Sequence, residues 1–167
     1  YRNRKQKLTL IIVVTLLILL IGLIGFAVHL IQKYTPTKDR MDPVAYYGIS
    51  DAQELPLIFG TEVLQMSGKL LDGAAYVPLE AVDSYLNHRF YWDPNENILI
   101  YTTPTEKLII TPETDSYMIG EQRMTADGII CKVMEEIPYI HIAFVKKVTD
   151  IEYTLLQQPS RLVVQYQ

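Results

Sequence analysis

Cysteine is nearly missing from this chain: Cys131 is the only one among 167 residues. A single thiol closes no internal disulfide, so the fold must be held by packing, and a cysteine-based zinc cluster is excluded for want of ligands. Histidine is scarce as well, with three residues and no His-x-x-x-His spacing, so the sequence offers no metal motif and implies no cofactor. Charge is absent altogether from Leu8 to Ile31, twenty-four residues without Asp, Glu, Lys or Arg. Acidic residues are absent from everything before Asp39, since all nineteen lie after that run, against eleven of the fifteen bases. The later part therefore carries a formal charge near −8, which opposes nucleic-acid binding, because neutralising phosphates requires clustered Lys and Arg.

The uncharged run is the strongest signal present. As a helix it would be roughly 36 Å long at about 1.5 Å per residue, enough to cross a hydrocarbon layer of about 30 Å with some tilt. It is apolar all round, so it has no polar face to offer water as a core helix at a domain surface would. A cleaved signal peptide has an apolar stretch of about 7–15 residues followed by a small-x-small site. This run is longer, and Gly25-Phe26-Ala27-Val28-His29 matches such a site poorly, so a retained anchor is expected. Arg2, Arg4, Lys5 and Lys7 crowd the front flank, whereas Lys33, Lys38 and Arg40 are diluted by Asp39 and Asp42 behind it. By the positive-inside rule the N-terminus is placed in the cytoplasm and the remainder outside. The expected layout is a basic flank at 1–7, a transmembrane helix at 8–31, a polar juxtamembrane linker at 32–43 interrupted by Pro36, and an extracytoplasmic domain at 44–167. The chain starts on Tyr1 and stops inside a strand-like run, so it reads as the front part of a longer protein.

From residue 44 onward, short apolar bursts alternate with turn residues, which predicts strands rather than long helices. Leu55–Phe59 and Glu62–Met66 are bursts of this kind, and Ser67-Gly68 and Asp72-Gly73 read as turns. Pro78 suits a helix start, and Leu79, Val82 and Leu86 recur at helical spacing, with Asn87 ending the helix. Phe90 to Trp92 and Ile98 to Tyr101, joined by Asp93-Pro-Asn-Glu-Asn97, predict a hairpin. Phe90, Trp92, Ile98 and Ile100 are expected to face inward, and Tyr91 and Tyr101 outward. The same order returns sixty-three residues later: Ile142 lies over Leu79, Val145 over Val82 and Thr149 over Leu86. Ile151–Leu156 and Leu162–Val164 then repeat the hairpin, and Glu135-Glu136 falls where the first copy has Asp72-Gly73. Two copies, at about 63–104 and 128–167, each of a strand, a short helix and a hairpin, predict one compact α+β domain in which each copy buries the other's apolar stripe.

The pattern running from Tyr76-Val-Pro-Leu through Tyr85-Leu and Phe90-Tyr-Trp-Asp to Ile98-Leu-Ile-Tyr101 resembles the small repeats of the copper amine oxidase N-terminal-like domain of Firmicutes cell-surface proteins. More narrowly, the anchor, Tyr46-Tyr47-Gly48 and the stretch from Asn87 to Glu106 resemble the front end of membrane-anchored clostridial glycoside hydrolase family 18 proteins. The resemblance implies a non-catalytic module ahead of a barrel enzyme acting on chitin-like or peptidoglycan-like β-1,4-linked N-acetylhexosamine chains. It implies no copper chemistry. The second copy departs from the pattern by carrying His141 where the first has Pro78.

No catalytic constellation is visible in these residues. A family 18 enzyme needs Asp-x-x-Asp-x-Asp-x-Glu, which does not occur, and Glu80 with Asp83 or Glu135 with Glu136 lacks an evident apolar pocket to raise a carboxyl pKa. His29 reads as a ring at the membrane interface, His88 as an exposed residue after the helix, and His141 as structural. Tyrosine is plentiful, at twelve residues. In sheets it is first a packing residue with a wet tip, but exposed rings also stack on sugar faces, and Tyr91, Tyr101 and Tyr85 are the candidates for glycan stacking. The expected partners are the lipid bilayer through Leu8–Ile31 and cell-wall glycan. The competing expectation is a protein-interaction or assembly domain of a cell-envelope complex.

Overall fold

The computed structural model describes residues 2–34 and 41–166, and the core of the linker expected at 32–43 lies outside them. The chain divides into two units, Tyr1–Met41 and Asp42–Gln167. In the first, one helix, α1, runs Arg2–Tyr34, so the basic flank and the apolar run share one continuous helix. Its stretch Thr9–Ile31 is long and apolar enough to cross a membrane and is exposed on all sides. Thr15 does not interrupt this surface, because its hydroxyl donates to the Ile11 carbonyl at 2.8 Å one turn back.

The second unit is mixed α+β and mostly β, as expected. It opens with a one-turn helix, α2 (Pro43–Tyr47), which the sequence reading did not resolve. Asp42 accepts from the Val44 amide at 3.1 Å, Pro43 occupies the first turn, and Gly48 closes the helix at φ 65°. Among the described residues, twelve strands follow. In chain order they are β1 (Glu54–Phe59), β2 (Glu62–Leu71), β3 (Ala74–Pro78), β4 (Phe90–Asp93), β5 (Ile98–Thr102), β6 (Lys107–Ile110), β7 (Ser116–Ile119), β8 (Gln122–Thr125), β9 (Cys131–Met134), β10 (Ile137–His141), β11 (Ile151–Leu156) and β12 (Arg161–Tyr166). Between β3 and β4, a helix, α3 (Leu79–Ala81), passes into a π turn (Val82–Leu86); between β10 and β11 lies α4 (Ile142–Val148).

Seven strands form one sheet in the order β11-β12-β1-β2-β3-β10-β9, and five form a second, the antiparallel meander β4 to β8. One hydrophobic core joins them: Leu55, Leu57, Val77, Ile140, Leu162 and Val164 come from the first sheet, Leu99, Leu108 and Ile110 from the second, and Val82 and Val145 from the helical segments. The duplication is visible in the strand register. Strands β3 and β10 pair antiparallel with Val77 opposite Ile140, Tyr76 opposite His141 and Pro78 opposite Tyr139. Val77 and Ile140 are themselves equivalent in the two copies, so the copies meet about a local two-fold through that pair. Each then sends a short helix back over the centre, α3 against β10 and α4 against β3 and β10. Their hairpins part company: β11–β12 joins the first sheet through a parallel pairing of β12 with β1, whereas β4–β5 starts the second.

Local chemistry explains most of the turns and corrects one. Asp72-Gly73 is a two-residue hairpin turn with both φ values positive, and Glu135-Glu136 repeats it with φ 52° and 67°. Ser67-Gly68 is not a turn; it lies inside β2, paired with β1 through Leu55 and Pro56. Gly68 is there because a Cβ would sit 2.5 Å from the Tyr76 carbonyl oxygen and 3.0 Å from Leu57 Cδ2. Ser67 and Ser50 hydroxyls and the Ser50 amide all donate to the Glu54 carboxylate, and these hydrogen bonds hold its pKa down to about 2. Pro78 ends β3 and stands just before α3 with φ −60°, and His141 takes the same place before α4 with φ −62°, so the departure from the repeat pattern leaves the backbone path intact.

Candidate functional site

The hairpin register decides which aromatic rings are available. The turn Asp93 to Ile98 places Asp93 opposite Ile98, Trp92 opposite Leu99, Tyr91 opposite Ile100 and Phe90 opposite Tyr101. Directly opposite residues share a face, so Phe90, Trp92, Leu99 and Tyr101 point inward and Tyr91, Ile98 and Ile100 outward. This shifts β5 by one from expectation: Ile98 and Ile100 are not the inward pair, and Tyr101 is not exposed. Tyr101 is buried, its ring 4.6 Å from that of Phe90 and its hydroxyl donating to the Val148 carbonyl at 2.8 Å, so it cannot stack on a sugar. Tyr85 is only 37% exposed and turns its edge to Phe59 at 5.8 Å. Tyr91, at 61%, presents its ring freely.

Tyr91 stands on a cleft of about 690 Å³. One wall is helical, formed by Leu79, Glu80 and Asp83 of α3 and the π turn. Strand β4 contributes its edge, with Phe90, Tyr91 and Trp92. The third part of the lining is Glu136, Ile137 and Pro138, at the turn between β9 and β10. That third element arrives because Pro78 pairs with Tyr139, which sets the residues just before Tyr139 beside those just after Pro78. Asn87 shapes the turn from the π segment into β4. Its amide donates to the Val82 carbonyl at 2.8 Å, closing the π turn, and its side-chain oxygen accepts from the Arg89 amide at 2.9 Å. His88 then lies across the turn from Asp83, Nδ1 to Oδ1 3.4 Å.

Strand β4 is an edge of its sheet, and among the described residues no strand pairs with its other side. The Thr102 amide donates to the Arg89 carbonyl at 3.1 Å, so by antiparallel alternation Tyr91 and Asp93 face β5 with their backbone groups, and Phe90 and Trp92 turn theirs outward. The cleft thus combines three kinds of contact. The Tyr91 ring and the 45% exposed Ile137 offer apolar surface, the β4 edge offers backbone donors and acceptors, and Glu80, Asp83 and Glu136 outnumber Arg89 in charge.

Sequence reasoning put Tyr91 on the outward face of the hairpin, which the register matches, and did not anticipate a cleft beside it. Glu80 with Asp83 and Glu136 were weighed as separate acid pairs, and His88 as a bare helix end; the pairing of β3 with β10 that gathers them is non-local and leaves no mark in a local pattern. Elsewhere, His141 is half-buried, stacked on Tyr76 with ring centres 5.2 Å apart, and burial holds its pKa below the usual value. Cys131 is buried, and desolvation, with the Glu113 charge adding, pushes its thiol up to about 12, so it stays protonated and unreactive. Among the described residues no group of three or more His, Cys, Asp or Glu is arranged to hold a metal ion. Comparison with protein-family models, with curated proteins and with solved structures finds no match.

Proposed function

We propose that this chain is a membrane-tethered, extracytoplasmic binding module whose cleft holds a β-1,4-linked N-acetylhexosamine glycan and so positions a family 18-type cell-wall hydrolase on its polymer. Helix α1 is the retained anchor, with its basic end in the cytoplasm. Support comes from the length of the apolar run, the asymmetry of its flanks, the resemblance of the Tyr76–Tyr101 pattern to copper amine oxidase N-terminal-like repeats, and above all the exposed Tyr91 ring on the cleft. The mechanism is effective concentration: a short tether keeps any linked hydrolase within reach of the wall, so the second contact becomes intramolecular. The module itself performs no chemistry.

Tyr91→Ala tests this directly. Removing the one freely exposed ring of the cleft is expected to weaken retention on purified peptidoglycan or chitin by roughly tenfold, the scale of a lost stacking contact plus its buried area. Tyr85→Ala, outside the cleft, is expected to leave retention unchanged. Equal retention of Tyr91→Ala and the parent chain rejects the stacking role.

One observation favours a second reading. The outward backbone groups of Phe90 and Trp92 are suited to adding an extended peptide as a further strand, which would make the cleft a protein-docking edge of an envelope assembly. Recovery of one stoichiometric protein with the chain, together with no glycan retention, would support that reading over the first.

A further inference from the structure

The cleft is not neutral, and its charge says which glycan it selects. Three carboxylates line it, Glu80, Asp83 and Glu136, against the single permanent cation Arg89. Asp83 has His88 at 3.4 Å, whereas among the described residues no ion pair engages Glu80 or Glu136. Glu80 comes from α3 and Glu136 from the β9–β10 turn, so two acids without an ion-pair partner line the same cleft as Tyr91. A sugar bound in this cleft beside Tyr91 therefore meets a lining in which carboxylates outnumber cations. An acetamido group offers those carboxylates one neutral N–H donor, whereas a protonated primary amine offers charge-assisted hydrogen bonds and attraction from both.

Resting on the glycan reading above, we infer that the cleft prefers a glucosamine unit with a free amine over its N-acetylated counterpart, which makes the module a reader of de-N-acetylated stretches in a β-1,4-linked chain. Stacking on Tyr91 supplies affinity for either sugar, and Glu80 and Glu136 supply the discrimination. Both acids are exposed, so the preference is of the size of solvent-screened ion pairs and fades as salt shortens the screening length.

The test uses the full chain in detergent micelles, titrated with glucosamine hexamer and with N-acetylglucosamine hexamer at mildly acid pH. Trp92, the single tryptophan of the chain, lines the cleft and serves as the fluorescent reporter. The expected result is that the glucosamine oligomer binds roughly tenfold more tightly at low salt, an advantage that shrinks towards parity near 1 M salt. The double variant Glu80→Gln/Glu136→Gln is expected to lose the advantage while binding the acetylated oligomer as the parent does. Equal binding of the two oligomers by the parent, or tighter binding of the acetylated one, overturns the amine preference and leaves the glycan reading standing. A preference that survives in the double variant also overturns it, because general acidity of the body would then be the cause. Binding of neither oligomer removes the glycan reading itself.

Discussion

Lysine at both Leu19 and Leu20 is expected to release the protein from the membrane. These residues lie at the middle of the Thr9–Ile31 stretch, where each lysine costs about 2.5–3.5 kcal/mol on an insertion scale and each leucine removed forgoes about 0.3–0.6. Together the two changes move insertion by roughly 6–8 kcal/mol, too much for snorkelling from mid-span to recover. Carbonate extraction of a membrane fraction, followed by blotting for residues 42–166, measures the outcome. The parent is expected in the pellet and the double-lysine variant in the supernatant or in aggregates. A variant that stays in the pellet as an extraction-resistant species would show that something other than α1 holds the protein there.

The largest effect expected within the folded body is at Gly68. Its φ is not in the left-handed region, so the requirement for glycine is one of space alone: a methyl group would meet the Tyr76 carbonyl oxygen at 2.5 Å. That oxygen cannot retreat easily. Lys69 on β2 pairs with Tyr76, and Tyr76 in turn pairs with His141 on β10, so β3 is fixed from both sides. Leu57, the second neighbour at 3.0 Å, is fully buried in the core and has no free volume to move into. Overpacking of this kind costs about 1–3 kcal/mol, and Gly68→Ala is expected at about 3 kcal/mol, a fall in Tm of roughly 10 °C for a domain of this size. Urea unfolding of the 42–167 body followed by Trp92 emission checks it. A loss below about 0.5 kcal/mol, within the range of ordinary surface substitutions, would mean that β2 and β3 approach less closely there than described.

The same glycine shows where sequence reading stops. Ser67-Gly68 has the composition of a turn, but the residue serves a close approach between strands that only the assembled sheet reveals. Features governed by local rules were legible: the uncharged helix, the Asp72-Gly73 turn and its Glu135-Glu136 counterpart, the helix stop at Asn87, and the duplication. The facing of β5 was not, because Ile98-Leu-Ile-Tyr101 is apolar at every position and carries no alternation to read; the length of the connecting turn sets it instead. Strand β8 escaped notice for the opposite reason, being exposed at all four residues. The parallel pairing of β12 with β1 joins residues a hundred apart, such as Leu57 and Leu162, and no local signal encodes it. For the candidate site, Tyr91 was readable from hairpin alternation, and Tyr101 was misassigned by the one-residue shift. The acids around the cleft were individually visible but scattered over residues 80–136 until β3 and β10 brought them together.

The central claim is that α1 stays in the bilayer and displays the 42–166 body on the outer side. Protease treatment of sealed, right-side-out membrane vesicles, blotted for that body with and without detergent, tests it most directly. The expected result is digestion of the body before any detergent is added. A body that is protected until the vesicles are opened, or that is recovered in the soluble fraction cut free of residues 9–31, would contradict the claim.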